Sequence, residues 1–151
     1  MRYLLVDRIL EWERGMRIRG IKNVTMTEDF LEFHFPGNPV MPGVLLIESL
    51  VQLAGWLEAA GSGFTDGLLL TAVRRCNFYG FVLPGDQAEL QVEFVPPGED
   101  GSVRVCKGIG TVEGKKKIVV EFEAQTVPLA TLEEPAEQER FFRILSRESA
   151  F

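Results

Sequence analysis

Phe33-His34-Phe35-Pro36-Gly37-Asn38-Pro39-Val40-Met41-Pro42-Gly43-Val44-Leu45-Leu46-Ile47-Glu48-Ser49-Leu50-Val51-Gln52-Leu53-Ala54-Gly55 decides how the rest of this chain is read. Its first half holds three prolines, each fixing φ near −65° and removing a donor, so the loop around His34 is built to hold one shape. Its second half has no proline and is apolar almost throughout, from Val44 to Ala60. A helix apolar on all sides is a buried one. Pro42 suits the first helical position, where its missing N–H costs nothing. From Pro42 to Ala60 such a helix would run roughly 28 Å, enough to cross a small domain.

Glu48 and Gln52 stand four apart and share a face of this helix. Leu45 lies one turn before them and Gly55 and Trp56 one turn after, so the face is not otherwise polar. Two readings of Glu48 follow. One is a partly exposed acid that meets water. The other is a desolvated carboxyl group that keeps its proton and can act as a general acid. His34, the one histidine in the chain, is either an ordinary surface or core residue or a base held by the stiff loop. The loop feeds a helix N-terminus, where orphan N–H groups carry partial positive charge. Gly43 has no side chain, so its N–H can approach a substrate oxygen closely. Base, acid and oxyanion donor together are what removal of a proton beside a carbonyl requires.

His34-Phe35-Pro36-Gly37-Asn38-Pro39-Val40-Met41-Pro42-Gly43-Val44-Leu45, followed by Glu48 and Gln52, closely resembles the signature of the β-hydroxyacyl-[acyl carrier protein] dehydratases of the FabZ type. Leu5-Val6-Asp7-Arg8, Lys22-Asn23-Val24-Thr25 and Pro84-Gly85-Asp86 echo the same family. The resemblance implies an α+β hotdog fold, an antiparallel sheet wrapped around a long central helix. It implies His34 and Glu48, fourteen residues later, as the catalytic pair, and Glu rather than Asp at the second place favours the FabZ type over FabA isomerases. It further implies Gly43 N–H as oxyanion donor, Gln52 as support for Glu48, and Phe78 and Tyr79 as candidates to line the acyl channel. Chemistry alone reads those aromatics as core. The implied reaction converts a (3R)-hydroxyacyl-[acyl carrier protein] to the trans-2-enoyl form plus water, with no metal or cofactor. The implied assembly is a homodimer with shared active sites, or a trimer of dimers. Two departures stand beside the pair: Phe33 where the family usually has Gly, and Ser49 where it usually has Ala. A hotdog acyl thioesterase and a non-catalytic acyl-binding subunit are the alternative readings.

Composition sets the outer bounds. With 151 residues, 46% hydrophobic and 25% charged, the sequence describes one ordinary globular domain. A net charge of −6 argues against nucleic acid as a partner. Cys76 and Cys106 are isolated, with no metal-ligand spacing, and read as thiols of a reducing compartment. No secretory signal is apparent, and Glu48 argues against a membrane span, so a cytoplasmic protein is expected. An acidic carrier protein needs a local basic patch, for which Arg74, Arg75 and Arg2 are candidates; the alternative is solvated charge on a sheet edge.

The remaining sequence predicts strands over Tyr3–Trp12, Met16–Val24, Leu68–Arg75, Leu90–Phe94, Val103–Val112 and Ile118–Ala124, by alternation and by turn residues between them. Thr27, with Glu28 and Asp29 behind it, predicts an N-cap and a short helix through Phe30 and Leu31. Strands without βαβ alternation give an α+β antiparallel sheet. Residues 1–127 are expected to form the hotdog domain. Residues 128–151 are expected to form an extension, in which Phe141, Phe142, Ile144 and Leu145 would make a helical apolar face and which the resemblance does not explain.

Overall fold

The computed structural model describes residues 3–96 and 101–148. Arg2 and most of the loop between Pro96 and Gly101 lie outside the described residues. In chain order the elements are β1 (Arg8–Glu13), β2 (Arg17–Asn23), α1 (Gly43–Gly61), β3 (Asp66–Phe78), β4 (Gln87–Val95), β5 (Val103–Val112), β6 (Lys115–Pro128) and α2 (Pro135–Ser146). The strands form one six-stranded sheet in the order β1-β2-β4-β5-β6-β3, and every neighbouring pair is antiparallel.

The sheet's inner face is set by period-two alternation. Leu90, Val92 and Phe94 of β4 stand opposite Gly110, Gly108 and Cys106 of β5, which in turn face Ile118, Val120 and Phe122 of β6. Against this face lies α1, burying Leu46, Leu50, Leu53 and Leu57. Two glycines let it lie close. A Cβ on Gly108 would fall 3.0 Å from Leu50 Cδ1, and one on Gly20 would fall 3.0 Å from Leu53 Cδ1 and 2.8 Å from the Arg8 carbonyl oxygen. The glycines are therefore sockets for helix side chains rather than breaks in the strands.

This is the α+β hotdog arrangement, a curved antiparallel sheet around a central helix. Length and hydropathy alone would let α1 cross a membrane, yet its leucines are buried in the sheet as the core of the domain. Pro42 is the residue before the helix, not its first: it stays extended, and its carbonyl accepts the Leu45 and Leu46 N–H groups.

Three local expectations need correction. Strand β1 begins at Arg8 rather than Tyr3, because Tyr3 and Leu5 spend backbone groups on the Gln52 side chain of α1. Thr27 does not cap a helix; its hydroxyl meets that of Thr25, and the short 3-10 turn Asp29–Leu31 follows an extended Glu28. Strand β3 is longer than Leu68–Arg75 and forms the far edge of the sheet.

After β6 a 3-10 turn, Leu129–Thr131, leads into α2. Phe142 and Leu145 of α2 are buried in the main core. Phe142 meets Trp12, Trp56 and Phe64 with ring centroids 5.8, 5.9 and 5.6 Å away. Ile144, expected on the same apolar face, is exposed.

Candidate active site

The His34 loop is held by its own backbone. Phe35 and Asn38 exchange N–H···O bonds of 3.1 and 2.9 Å, and the Val40 N–H donates to the His34 carbonyl at 2.8 Å. The His34 ring is half-buried, stacked on Phe35 at 4.2 Å, with Nδ1 2.8 Å from the Val40 carbonyl oxygen. A carbonyl only accepts, so Nδ1 carries the hydrogen and Nε2 of the neutral ring keeps its lone pair. A fixed backbone acceptor has thus chosen the tautomer that can take up a proton at Nε2.

His34 lines a cavity of about 550 Å³ with Met41, Gly43, Val44, Phe78 and Phe81. Its wall is apolar except for the ring and the first turn of α1. Gly43 opens that turn, so its N–H has no acceptor within the helix. A Cβ at Gly43 would lie 2.7 Å from Phe78 Cε1. Glycine here is what lets the Phe78 ring cover the helix end. Tyr79 does not line this cavity; it is 60% exposed, and its N–H donates to the Lys117 carbonyl. Phe81, 70% exposed, does line the cavity, and nothing in its sequence spacing singles it out.

Glu48 is half-buried on the other side of α1. Gln52 Nε2 donates to Glu48 Oε1 at 3.1 Å and to the Tyr3 carbonyl at 3.0 Å, while its Oε1 accepts the Leu5 N–H at 2.9 Å. The amide is thereby oriented by two backbone groups and presents an N–H to the carboxyl. Ser49 is buried with its hydroxyl bonded to the Leu45 carbonyl at 2.8 Å, so it adds no polar group to the site. Phe33 is exposed. Glu48 and Gln52 line a second cavity, of about 490 Å³. It shares no lining residue with the first. The chain therefore presents the imidazole and the carboxyl group in separate cavities.

Other buried charges serve the fold. Arg104 forms a two-pronged bond to Glu58, at 2.8 and 3.1 Å, and Glu58 is only 6% exposed. That hydrogen bond raises the pKa of Arg104. Lys22, buried, pairs with Glu28 and Asp7. Burial pushes the Cys106 thiol up to about 12, so it is not a nucleophile. Arg74 pairs with Glu123, and Arg75 is exposed. Among the described residues no group of His, Cys, Asp and Glu is gathered as a metal site would gather them.

The FabA-like domain family model matches residues 1–123. A 3-hydroxyacyl-[acyl-carrier-protein] dehydratase FabZ of Clostridium acetobutylicum is 42% identical over 119 residues, 78% of this chain and 83% of that protein. The FabZ of a Thermoanaerobacter species is 50% identical over 91 residues, 60% of this chain and 64% of its own length. Among solved structures, a hypothetical thioesterase with coenzyme A from Streptococcus pneumoniae superposes with a TM-score of 0.62 at 16% identity, covering 80% of this chain and 88% of that one. The last likeness concerns the fold alone. The extent of the family match and the identity to the FabZ proteins place the chain in the FabA-like family, among the FabZ-type dehydratases.

Proposed function

We propose that this protein catalyses the reversible dehydration of a (3R)-hydroxyacyl thioester on acyl carrier protein to the trans-2-enoyl thioester in acyl-chain biosynthesis. The observation that carries this reading is the arrangement around α1: a tautomer-fixed imidazole beside the helix N-terminus, and a carboxyl group held by Gln52 further along. His34 Nε2 takes the C2 proton. Electrons from that C–H bond form the C2–C3 double bond, and the C3 hydroxyl leaves as water with a proton from Glu48. Gly43 N–H binds the thioester oxygen, on which negative charge builds as C2 loses its proton. His34 ends protonated and Glu48 ionised, and proton exchange with solvent resets them.

Because His34 and Glu48 of one chain face different cavities, the pair is completed by a second copy. Support comes from β3, a long edge strand with exposed Leu69, Leu70, Val73 and Phe78. Such an edge invites a second strand. Phe78 covers the His34 side of the shared site. The acidic carrier protein docks on exposed arginine of β3, with Arg75 the candidate. The two free cysteines suit a cytoplasmic enzyme.

The test is incubation of the purified protein with crotonyl and 3-hydroxybutyryl thioesters, following enoyl absorbance and free thiol. Interconversion without thiol release is expected, and His34→Ala and Glu48→Ala each lower it by at least about a thousandfold while the oligomer persists. Thiol release in place of hydration would make the protein a thioesterase, and binding with neither would make it an acyl-binding subunit.

A further inference from the structure

The cavity that holds Glu48 continues well past the carboxyl group. It follows one stripe of α1, Glu48, Gln52, Gly55, Trp56 and Ala59. At ~1.5 Å per residue that stripe is roughly 16 Å long. Beyond Gln52 its walls are apolar except for Glu133 and Gln138, which stand at the far end. Leu4 and Val6 of the N-terminal segment form one side, and Gly67 and Leu68 of β3 the other. Gly55 sits in the middle of the stripe, and a Cβ there would meet nothing within 4 Å. A mid-helix glycine with open space above it disfavours the helix and adds no packing. What it supplies is room.

The far end is lined by the segment after β6. Phe141 of α2 lies against Trp56 with centroids 5.8 Å apart. Leu129 and Leu132 lie over Gly67, within 3.1 to 3.2 Å of where its Cβ would be. Both leucines and Phe141 line the same cavity as Glu48. The family match ends at residue 123, so this end wall is built from sequence outside it.

We propose that the C-terminal segment, through Leu132 and Phe141, is the stop in this groove that sets the longest acyl tail accepted. The identity of the tail rests on the dehydratase reading. The ruler rests on the groove. Its apolar stripe begins at the carboxyl group that serves C3, so a tail extending from C4 has a continuous path away from the reacting atoms. Each methylene buried there strengthens binding about fourfold until the chain meets the end wall.

The experiment uses the full chain, its Gly55→Leu, Phe141→Ala and Phe78→Ala variants, and two series from C4 to C14: non-hydrolysable saturated acyl-pantetheine amides for affinity, and 2-enoyl-pantetheine thioesters for hydration. Circular dichroism and elution volume report whether each variant is folded. In the wild type, affinity should climb with length and then level off. Gly55→Leu should bring the plateau to shorter chains and lower the C12-to-C4 ratio in both series at least tenfold. Phe141→Ala should move the plateau to longer chains, so the two variants shift in opposite directions. If neither moves the plateau, if Phe78→Ala moves it instead, or if no amide binds the wild type, the ruler is wrong. If the affinity plateau moves as expected but no enoyl thioester is hydrated, the ruler stands and the dehydratase reading fails.

Discussion

Gln52 makes three bonds from one amide, to the Glu48 carboxyl, the Tyr3 carbonyl and the Leu5 N–H. Its spacing from Glu48 was legible, because residues four apart on a helix are neighbours. Its backbone partners, 47 and 49 residues away, were not, because no periodicity encodes a contact between a helix and a distant irregular segment. Gln52→Ala leaves the buried Leu5 N–H without an acceptor. Unfolding should become easier by about 1–3 kcal/mol in a urea titration. As a positioning residue, Gln52 should lower kcat about tenfold with a much smaller change in KM once Glu48 loses its orientation. Val40 belongs to the same scale: an apolar side chain gave no hint that its carbonyl fixes the tautomer of His34. Gly43→Ala tests the first turn of α1. A methyl at 2.7 Å from the Phe78 ring must push that exposed ring aside, so kcat/KM should fall while Tm changes little. Cys106 should resist thiol reagents at pH 8 and be modified only on unfolding, as followed by mass of its peptide, because burial holds the thiol protonated up to about 12.

At the scale of elements, α1 and the strands were legible because their hydrophobic periods are long and regular. The alternation over Val103–Val112 gave β5 with its ends, and the apolar run after Pro42 gave the helix within a residue. The first strand was misread because Tyr3, Leu4, Leu5 and Val6 have strand composition, yet their backbone is claimed by Gln52 instead of a neighbouring strand. Composition describes what a segment prefers and not which partner reaches it first. Glu58 was likewise invisible as a structural acid, since its partner Arg104 lies 46 residues away on β5. Arg104→Ala leaves a buried carboxylate unpaired and should cost about 3–5 kcal/mol, read from the denaturation midpoint. If stability changes by less than about 1 kcal/mol, the surface-pair value, the pair does not carry the sheet-to-helix contact assigned to it.

At the scale of the whole molecule, the proposed function makes the active pair a property of an assembly. Inactive His34→Ala and Glu48→Ala proteins, unfolded together and refolded as a mixture, should recover about a quarter of wild-type hydration if each site draws one residue from each copy of a twofold pair. No recovery would mean that both groups act from one chain. The sequence by itself determined the family, the central helix and the antiparallel strands, and it singled out His34 and Glu48 as candidates, because a stiff proline loop and a helical period are local patterns. Only the tertiary structure decided that those two side chains face separate cavities, that Gly20 and Gly108 seat the helix leucines, and that the segment after β6 lines the groove behind Glu48. Those facts depend on which distant surfaces meet, and that is settled by packing of the folded chain rather than by any run of neighbours in it.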